Sequence, residues 1–315
     1  MNVDPRWDTG GWGHRVKTHD ELMRAVSRIG MFRERRYAWR GVVSRTFRVN
    51  SSLVRSLTSG GGRRALTIPR EHEVRAREEF ILQEARKWGI GLDVSRPTDF
   101  HLLAILQHYG VPTRLLDVTS NPLTALWFAC QPASNPDVDG ALFAFDITDF
   151  PQYNTFTYSE EAYPDGRPLT LASALRISTE EQLPFILRPI FKDARMQAQE
   201  GFFVSGAVPV EVDIGGVDGM PIPGVVSPPG AEAFRCLLDP SCATARGRPN
   251  RLPFVVLIIP PRVKRSMVTY LEGTFNRSMR TLFPDVQGFR DAVRAGLVDS
   301  ERRRQPRPVL RPGHK

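Results

Sequence analysis

Apolar residues recur with helical spacing in several stretches of the chain. In residues 18–30, "THDELMRAVSRIG", they repeat every three or four positions, with Thr18 as a suitable N-cap and Gly30 as a stop. The stretches "IPREHEVRAREEFILQEARKWG", "RPTDFHLLAILQHYG" and "SNPLTALWFAC" show the same period, and the last begins with Asn121 as cap and Pro122 as first helical residue. The spacing therefore predicts a helix in each.

Shorter apolar runs between these helices indicate strands. The runs "RRYAWRGVV", "GALFAFDI", "EGFFVSGAV" and "LPFVVLIIP" combine β-branched and aromatic residues over strand length. Two more helices are predicted in "PPRVKRSMVTYLEGTF" and "DVQGFRDAVRAG". Because helices and strands do not alternate in a regular βαβ order, we expect an α+β fold. No apolar run approaches the length of a membrane span, so we expect no membrane-spanning segment. We also expect no membrane among the partners of the protein.

Composition and charge narrow the class of protein. The 315 residues are 41% hydrophobic, which is typical of a globular chain. A net charge of +9 fits contact with nucleic acid or with an anionic cofactor, although the basic residues are scattered as on an ordinary soluble surface. The three cysteines predict neither a disulfide scaffold nor a metal site, because Cys236 and Cys242 lie too far apart for a zinc knuckle. We expect a cytoplasmic protein.

The domain organisation follows from composition along the chain. We expect a loose leader over residues 1–17, one domain over residues 18–298, and a disordered basic tail over residues 299–315, which ends in "RRRQPRPVLRPGHK". The Gly/Pro-rich stretch at about 209–252 resembles a long insertion within that domain.

Polar side chains are dense in "HYGVPTRLLDVTSNPLTALWFAC", residues 108–130, between two apolar segments. If "TRLLD" is extended, Arg114 shares a face with Leu116, and Asp117 lies on the other. A buried arginine or aspartate needs a partner, so we expect a polar network beside a cleft. His108, at a predicted helix end, is either a proton donor or acceptor in that network or a structural residue.

Several short motifs, in order along the chain, together resemble the FRG domain family. They are "WRG" at 39–41, "SSLVR" at 51–55, "LQHYGVPTRLLDVTSNPLTALWFA" at 106–129, "GALFAFD", "RMQAQEGFF", and an apolar strand, basic helix and "TLFPD" within 258–285. The long central motif is specific, and the ordered set is strong evidence. The resemblance covers roughly residues 18–295. It implies a bacterial or phage-defence protein or toxin, with a cognate antitoxin or immunity protein as a partner.

A looser resemblance links the chain to ADP-ribosyltransferases of the Arg-Ser-Glu type. Those enzymes have an aromatic-Arg-Gly motif on a first strand, a Ser-Thr-Ser strand ahead of a helix, and a glutamate at the start of a late strand. Here "WRG", "DVTSNPLTALWFA" and "QAQEGFFV" follow in that order. The resemblance implies small antiparallel or mixed sheets around a central cleft, NAD as cofactor, and a macromolecular target, protein or nucleic acid.

The resemblance also implies roles for particular residues. Arg40 would hold a phosphate of NAD through a bidentate pair, and Gly41 would let the ligand approach the backbone. Thr119 and Ser120, at a helix start, would orient the ribose, and Glu200 would stabilise the oxocarbenium-like reacting centre. The other candidates are His108 as a second catalytic residue, and Arg114, Asp117 and Gln199 in the cofactor-binding set.

Each of these roles has a structural alternative. Arg40 could pair with Asp117 and lock its strand, and the hydroxyl groups at 119–120 could cap a helix. In the FRG pattern the recurring residue is the glutamine, here Gln199, so Glu200 could be an exposed turn residue. The alternative function is then a non-enzymatic module that binds a nucleotide or nucleic acid.

Overall fold

The structure is a computed structural model. It describes residues 12–30, 35–58, 68–91, 97–132, 135, 137–154, 170–189, 193–209, 218–222 and 253–298. The predicted tail at 299–315 and most of the predicted insertion at 209–252 therefore lie outside the described residues. No helix in the described part of the chain is long and apolar enough to cross a bilayer.

Helices form wherever the apolar spacing predicts them, and the predicted caps are in place. They are α1 (His19–Gly30), α2 (Ser52–Thr58), α3 (Glu71–Lys87), α4 (Asp99–His108), α5 (Pro122–Cys130), α6 (Leu171–Glu181), α7 (Ala194–Ala198), α8 (Pro261–Phe275), α9 (Met279–Leu282) and α10 (Val286–Arg294). The Thr18 hydroxyl accepts from the Glu21 amide at 3.1 Å. The Asn121 side chain accepts from the Leu123 amide at 2.9 Å, with Pro122 in the first turn.

In the described part of the chain, the strands form one mixed sheet of eight strands, in the order β1-β8-β4-β2-β3-β7-β6-β5. They are β1 (Gly13–Arg15), β2 (Tyr37–Val42), β3 (Leu116–Thr119), β4 (Gly140–Asp146), β5 (Gln152–Asn154), β6 (Phe185–Arg188), β7 (Gly201–Ser205) and β8 (Phe254–Ile259). Neighbours are antiparallel, except that β1 is parallel to β8 and β5 is parallel to β6. The α+β class is confirmed, but the described strands belong to one sheet and not to the separate small sheets that we expected.

The sheet is weakly joined at its centre. Among the described strands, β2 pairs with β3 through one residue pair, Trp39 and Thr119, whereas β2 pairs with β4 over six residue pairs and β3 with β7 over four. Beyond that pair, the Arg40 side chain donates to the Asp117 backbone oxygen. We call this junction the seam. It divides the sheet into a first half (β1, β8, β4, β2) and a second half (β3, β7, β6, β5).

Each half carries its own helices. On the first half, α1, α5 and α8 pack against apolar side chains of β2, β4 and β8. On the second half, α3, α4 and α6 pack against Phe185, Leu187 and Phe203. A third cluster takes residues from both halves, including Phe143 and Phe202. Because the halves have separate helical layers, a gap between those layers can form over the seam.

The sheet begins earlier in the chain than the predicted domain does. Gly13–Arg15, within the predicted leader, pairs with β8, and the flanking Trp12 and Val16 are buried. The part of the predicted insertion that the structure describes also packs inward, since Met220 and Ile222 join the cluster shared by both halves.

Candidate functional site

A cavity of about 500 Å³ lies over the seam. Residues of β2, β3 and β7 line it from the sheet, and its walls come from the end of α4, from α5 and α7, and from Gln287 in α10. It occupies the gap between the helices of the two halves. Of the predicted site residues, those that line it are Arg40, Gly41, His108, Asp117, Thr119 and Gln199. Arg114, Ser120 and Glu200 are outside the lining.

Arg40 spans the seam and keeps part of its charge uncompensated. Its Nη1 donates to the Asp117 backbone oxygen at 2.6 Å and lies 3.9 Å from the Asp117 carboxylate. That carboxylate also accepts from Gln107 Nε2 at 2.8 Å. Burial lowers the pKa of Arg40 below its ordinary value, Asp117 raises it in part, and Arg55 lowers it again. The guanidinium therefore joins β2 to β3, and an added anion would further stabilise its charged form.

Gly41 is required by packing rather than by ligand approach alone. A Cβ atom at this position would lie 1.7 Å from the backbone oxygen of Ala125. The space that the missing side chain leaves is thus filled by α5. This close approach brings α5, with Phe128 on the cavity wall, directly against β2.

The end of β3 is bonded to the turn that precedes β7. The Thr119 hydroxyl donates to the Gln199 backbone oxygen at 2.7 Å and accepts from the Asn121 amide at 3.0 Å. The Ser120 amide donates to the Glu200 backbone oxygen at 3.1 Å. The Thr119 hydroxyl is therefore engaged in hydrogen bonds within the protein, and the bonds at this turn fix the position of Glu200 relative to β3.

Glu200 lies between two residues that line the cavity, but its carboxylate is engaged elsewhere. Its backbone is in the left-handed region, with φ of 51°, at the turn before β7. Oε1 accepts from Asn121 Nδ2 at 2.8 Å and from Arg277 Nη2 at 3.2 Å. In this arrangement, the carboxylate is held at the end of β3 by an amide and a guanidinium.

His108 and Gln199 tie the cavity wall to neighbouring elements. His108 Nε2 lies 3.4 Å from Oδ2 of Asp193, whose other oxygen caps α7 by accepting from the Met196 amide at 2.8 Å. Gln199 Nε2 donates to the Leu282 backbone oxygen at 3.0 Å. A carboxylate beside an imidazole can orient the ring for proton transfer.

Arg114 belongs to a buried ion cluster away from the cavity. Its Nε donates to Glu78 at 2.6 Å and its Nη1 to Glu71 at 3.1 Å, and both Arg114 and Glu78 are buried. Burial lowers the pKa of Arg114, but the two carboxylates more than offset this and raise it. This cluster joins the segment just before β3 to α3, whereas we expected the polar network beside the cleft.

Comparison with known proteins identifies one region of the chain. Residues 35–138, about a third of the sequence, match the FRG domain family. The chain contains an FRG domain. No curated protein and no solved structure matches the chain. The FRG match includes Arg40 and the whole of β3, but ends before Asp193 and Glu200.

Beyond the FRG match, the cavity contains a residue that sequence reasoning missed. Arg195 lines the wall in α7, with its guanidinium carbon 4.3 Å from the centre of the Phe283 ring. Arg195 opens the "RMQAQEGFF" motif that resembles the FRG family, so a signal for it existed in the sequence. Among the described residues, no group of three or more His, Cys, Asp or Glu side chains is placed to hold a metal ion.

Proposed function

We propose that this FRG-domain protein binds NAD in the cavity and transfers ADP-ribose to a macromolecular target. The observation that carries the proposal is the order of three strands. β2 with Arg40, β3 with Thr119, and β7, which follows directly after Glu200, are neighbours in the sheet. These are the three segments that resemble the Arg-Ser-Glu motifs. Each lies about 80 residues from the next along the chain.

The size and charge of the cavity support a dinucleotide ligand. Its volume of about 500 Å³ falls within the range of ligand pockets, roughly 300–1,000 Å³. The incompletely compensated Arg40 favours a phosphate, since a guanidinium binds phosphate oxygens through two parallel hydrogen bonds. Apolar side chains such as Phe128 and Phe202 line the same cavity and can contact a flat ring.

The proposed reaction breaks the bond between the nicotinamide nitrogen and C1′ of the ribose. The bonding electrons leave with nicotinamide, the acceptor atom of the target bonds to C1′, and the acceptor's proton is released. Glu200 would stabilise the positive charge at C1′ after exchanging its bonds to Asn121 and Arg277 for the ribose. His108, beside Asp193, would take the acceptor's proton.

The first experiment separates binding from chemistry. At NAD about a hundredfold above its Kd, bound ligand stabilises the folded state by about 2.7 kcal/mol, which raises Tm by several degrees. We expect this rise with the natural chain, its loss in Arg40→Ala, and its retention in Glu200→Gln. Arg176→Ala, which removes an exposed cation from a helical ion pair, is the matched control and should behave as the natural chain.

Chemistry is read from nicotinamide release in the same samples. We expect release by the natural chain and a loss of about a hundredfold or more in Glu200→Gln, the range for removal of one charge-stabilising group. Transfer to a target is then followed with labelled NAD in a cell extract, with protein and nucleic acid separated afterwards. Absence of NAD binding would overturn the proposal.

A second candidate function is a nucleotide-binding module without catalysis. The bonds of Glu200 to Asn121 and Arg277 favour it, because they hold the carboxylate outside the cavity lining. In that case the natural chain would bind NAD or another nucleotide, nicotinamide release would be absent, and Glu200→Gln would leave binding unchanged.

A further inference from the structure

Arg195 is placed to bind an anion. Its guanidinium lies over the Phe283 ring, and its Cζ is 4.3 Å from the ring centre. Cation–π attraction to the ring holds a guanidinium in place, and its N–H groups can still donate hydrogen bonds. No carboxylate among the described residues forms an ion pair with Arg195, whereas the neighbouring Asp193 faces His108.

The charged groups of the cavity are unbalanced. Among the described residues that line it are two arginines, Arg40 and Arg195, and a single carboxylate, that of Asp117. The Asp117 carboxylate lies 3.9 Å from Arg40 and accepts a hydrogen bond from Gln107. Arg195 therefore adds a positive charge that no lining residue neutralises.

The two arginines reach the cavity from different elements. Arg40 comes from β2 in the sheet, and Arg195 from α7 on the wall. Each guanidinium can bind one phosphate group in a bidentate manner, and two adjacent phosphate groups carry the charges that would balance both.

We propose that Arg40 and Arg195 form a two-arginine clamp for the diphosphate of a nucleotide. The ligand class is then nucleoside diphosphates and dinucleotides joined through a diphosphate, in preference to nucleoside monophosphates. This inference rests on the proposed function in taking the cavity as the ligand site, and it names Arg195 as a second phosphate-binding residue.

The test is a calorimetric titration of the full chain with ADP, AMP, inorganic pyrophosphate and NAD. We expect ADP to bind at least about tenfold more tightly than AMP, because a second charged hydrogen-bonding group is engaged. In Arg195→Ala, we expect ADP affinity to fall by about ten- to a hundredfold and the preference over AMP to disappear. Arg195→Lys keeps the charge but loses the bidentate geometry, so its affinity for ADP should lie between those of the natural chain and Arg195→Ala.

Arg280→Ala is the control, because Arg280 is an exposed arginine of α9 that does not line the cavity. It should bind all four ligands as the natural chain does. If inorganic pyrophosphate also binds more weakly to Arg195→Ala than to the natural chain, the lost affinity belongs to contacts with the phosphates and not with the adenine base.

Failure of the clamp and failure of the proposed function give different results. If NAD binds equally well to the natural chain and to Arg195→Ala, the clamp is wrong and the proposed function stands. If ADP binds with the expected preference but NAD does not bind, the clamp stands and the proposed function is wrong. If none of the four ligands binds, both are overturned.

Discussion

Arg114 and Asp117 are three positions apart and have opposite environments. Arg114 is buried and bonded to two glutamates, whereas the Asp117 side chain is 59% exposed and lies at the cavity. Arg114 precedes β3 and bonds to side chains of α3, whereas Asp117 is the second residue of β3 and lines the cavity. One polar residue of "RLLD" therefore stabilises the fold, and the other borders the candidate site.

Loss of Arg114 should destabilise the protein strongly. Arg114→Ala would leave the Glu78 carboxylate buried without this partner, and breaking such a buried pair costs about 3–5 kcal/mol. Denaturant unfolding followed by circular dichroism measures the free energy of unfolding. Arg176→Ala, which breaks an exposed pair with Glu180, should change it by less than about 0.5 kcal/mol. Equal effects in the two variants would contradict a structural role for the buried cluster.

Cys130 should be unreactive in the folded protein. Burial raises the pKa of its thiol to about 12, although Lys264 lowers it slightly. At pH 8 only roughly one thiol in ten thousand is then the reactive thiolate. We expect labelling of Cys130 by a thiol reagent to be at least about a hundredfold slower in the folded than in the unfolded state.

The measurement needs a chain in which Cys130 is the only cysteine, so Cys236 and Cys242 are replaced by serine. The other two positions lie outside the described residues. Rapid labelling of the folded chain at pH 8 would mean that α5 opens locally, since its interior face carries Cys130.

Among the elements, α5 is the one whose position depends most on glycine. Gly41 in β2 and Gly140 in β4 both face its backbone, and added Cβ atoms would lie 1.7 Å and 2.4 Å from backbone oxygens of Ala125 and Ala129. The helix can therefore lie directly on the first half of the sheet. Its first residues then meet the seam, where Asn121 contacts Glu200.

Gly41→Ala should disturb the cavity wall as well as the fold. The new methyl group must displace the α5 backbone, and overpacking of this kind costs about 1–3 kcal/mol or more. Thermal unfolding measures the loss. The matched control is Gly273→Ala in α8, where nothing lies within 4 Å of the added atom and alanine should stabilise the helix by up to about 1 kcal/mol. A Gly41→Ala variant as stable as the natural chain would contradict the packing.

Sequence reasoning predicted the helices and strands that have a long repeating apolar pattern or a usual cap residue, and it missed those that have neither. The helices begun by Thr18 and Asn121 carry the cap residues that single sequences reveal. Helix α6 was missed because its capping pair is Thr170 with Ser173, which lacks the acidic residue of the usual signature. β1 and β5 have three residues each, too few for an alternating pattern to be recognised.

At the scale of the whole molecule, the site is assembled by strand order. Sequence reasoning selected Arg40, His108 and Gln199, which do line one cavity. It could not separate Arg114 from them, because nothing local shows that α3 supplies Glu78 as its partner. Arg195 was missed because its environment depends on Phe283, almost 90 residues later in the chain.

The matched FRG segment does not contain the whole sheet. Residues 35–138 include β2 and β3, whereas β4, β7 and β8, which pair with them or with each other, follow later. The cavity likewise needs Arg195 and Gln199 from outside the match. The folding unit is therefore longer than the segment by which the family is recognised.

The short strand Gly13–Arg15 covers the outer edge of β8, a strand whose six residues, "FVVLII", are all buried. A chain that begins at residue 18, the predicted domain start, should therefore be prone to self-association, because an uncovered apolar strand edge is a template for pairing with another copy. Light scattering at increasing concentration would show the difference from the full chain, and equal monomeric behaviour would contradict it. These three residues of the predicted leader would then limit self-association by covering the edge of β8.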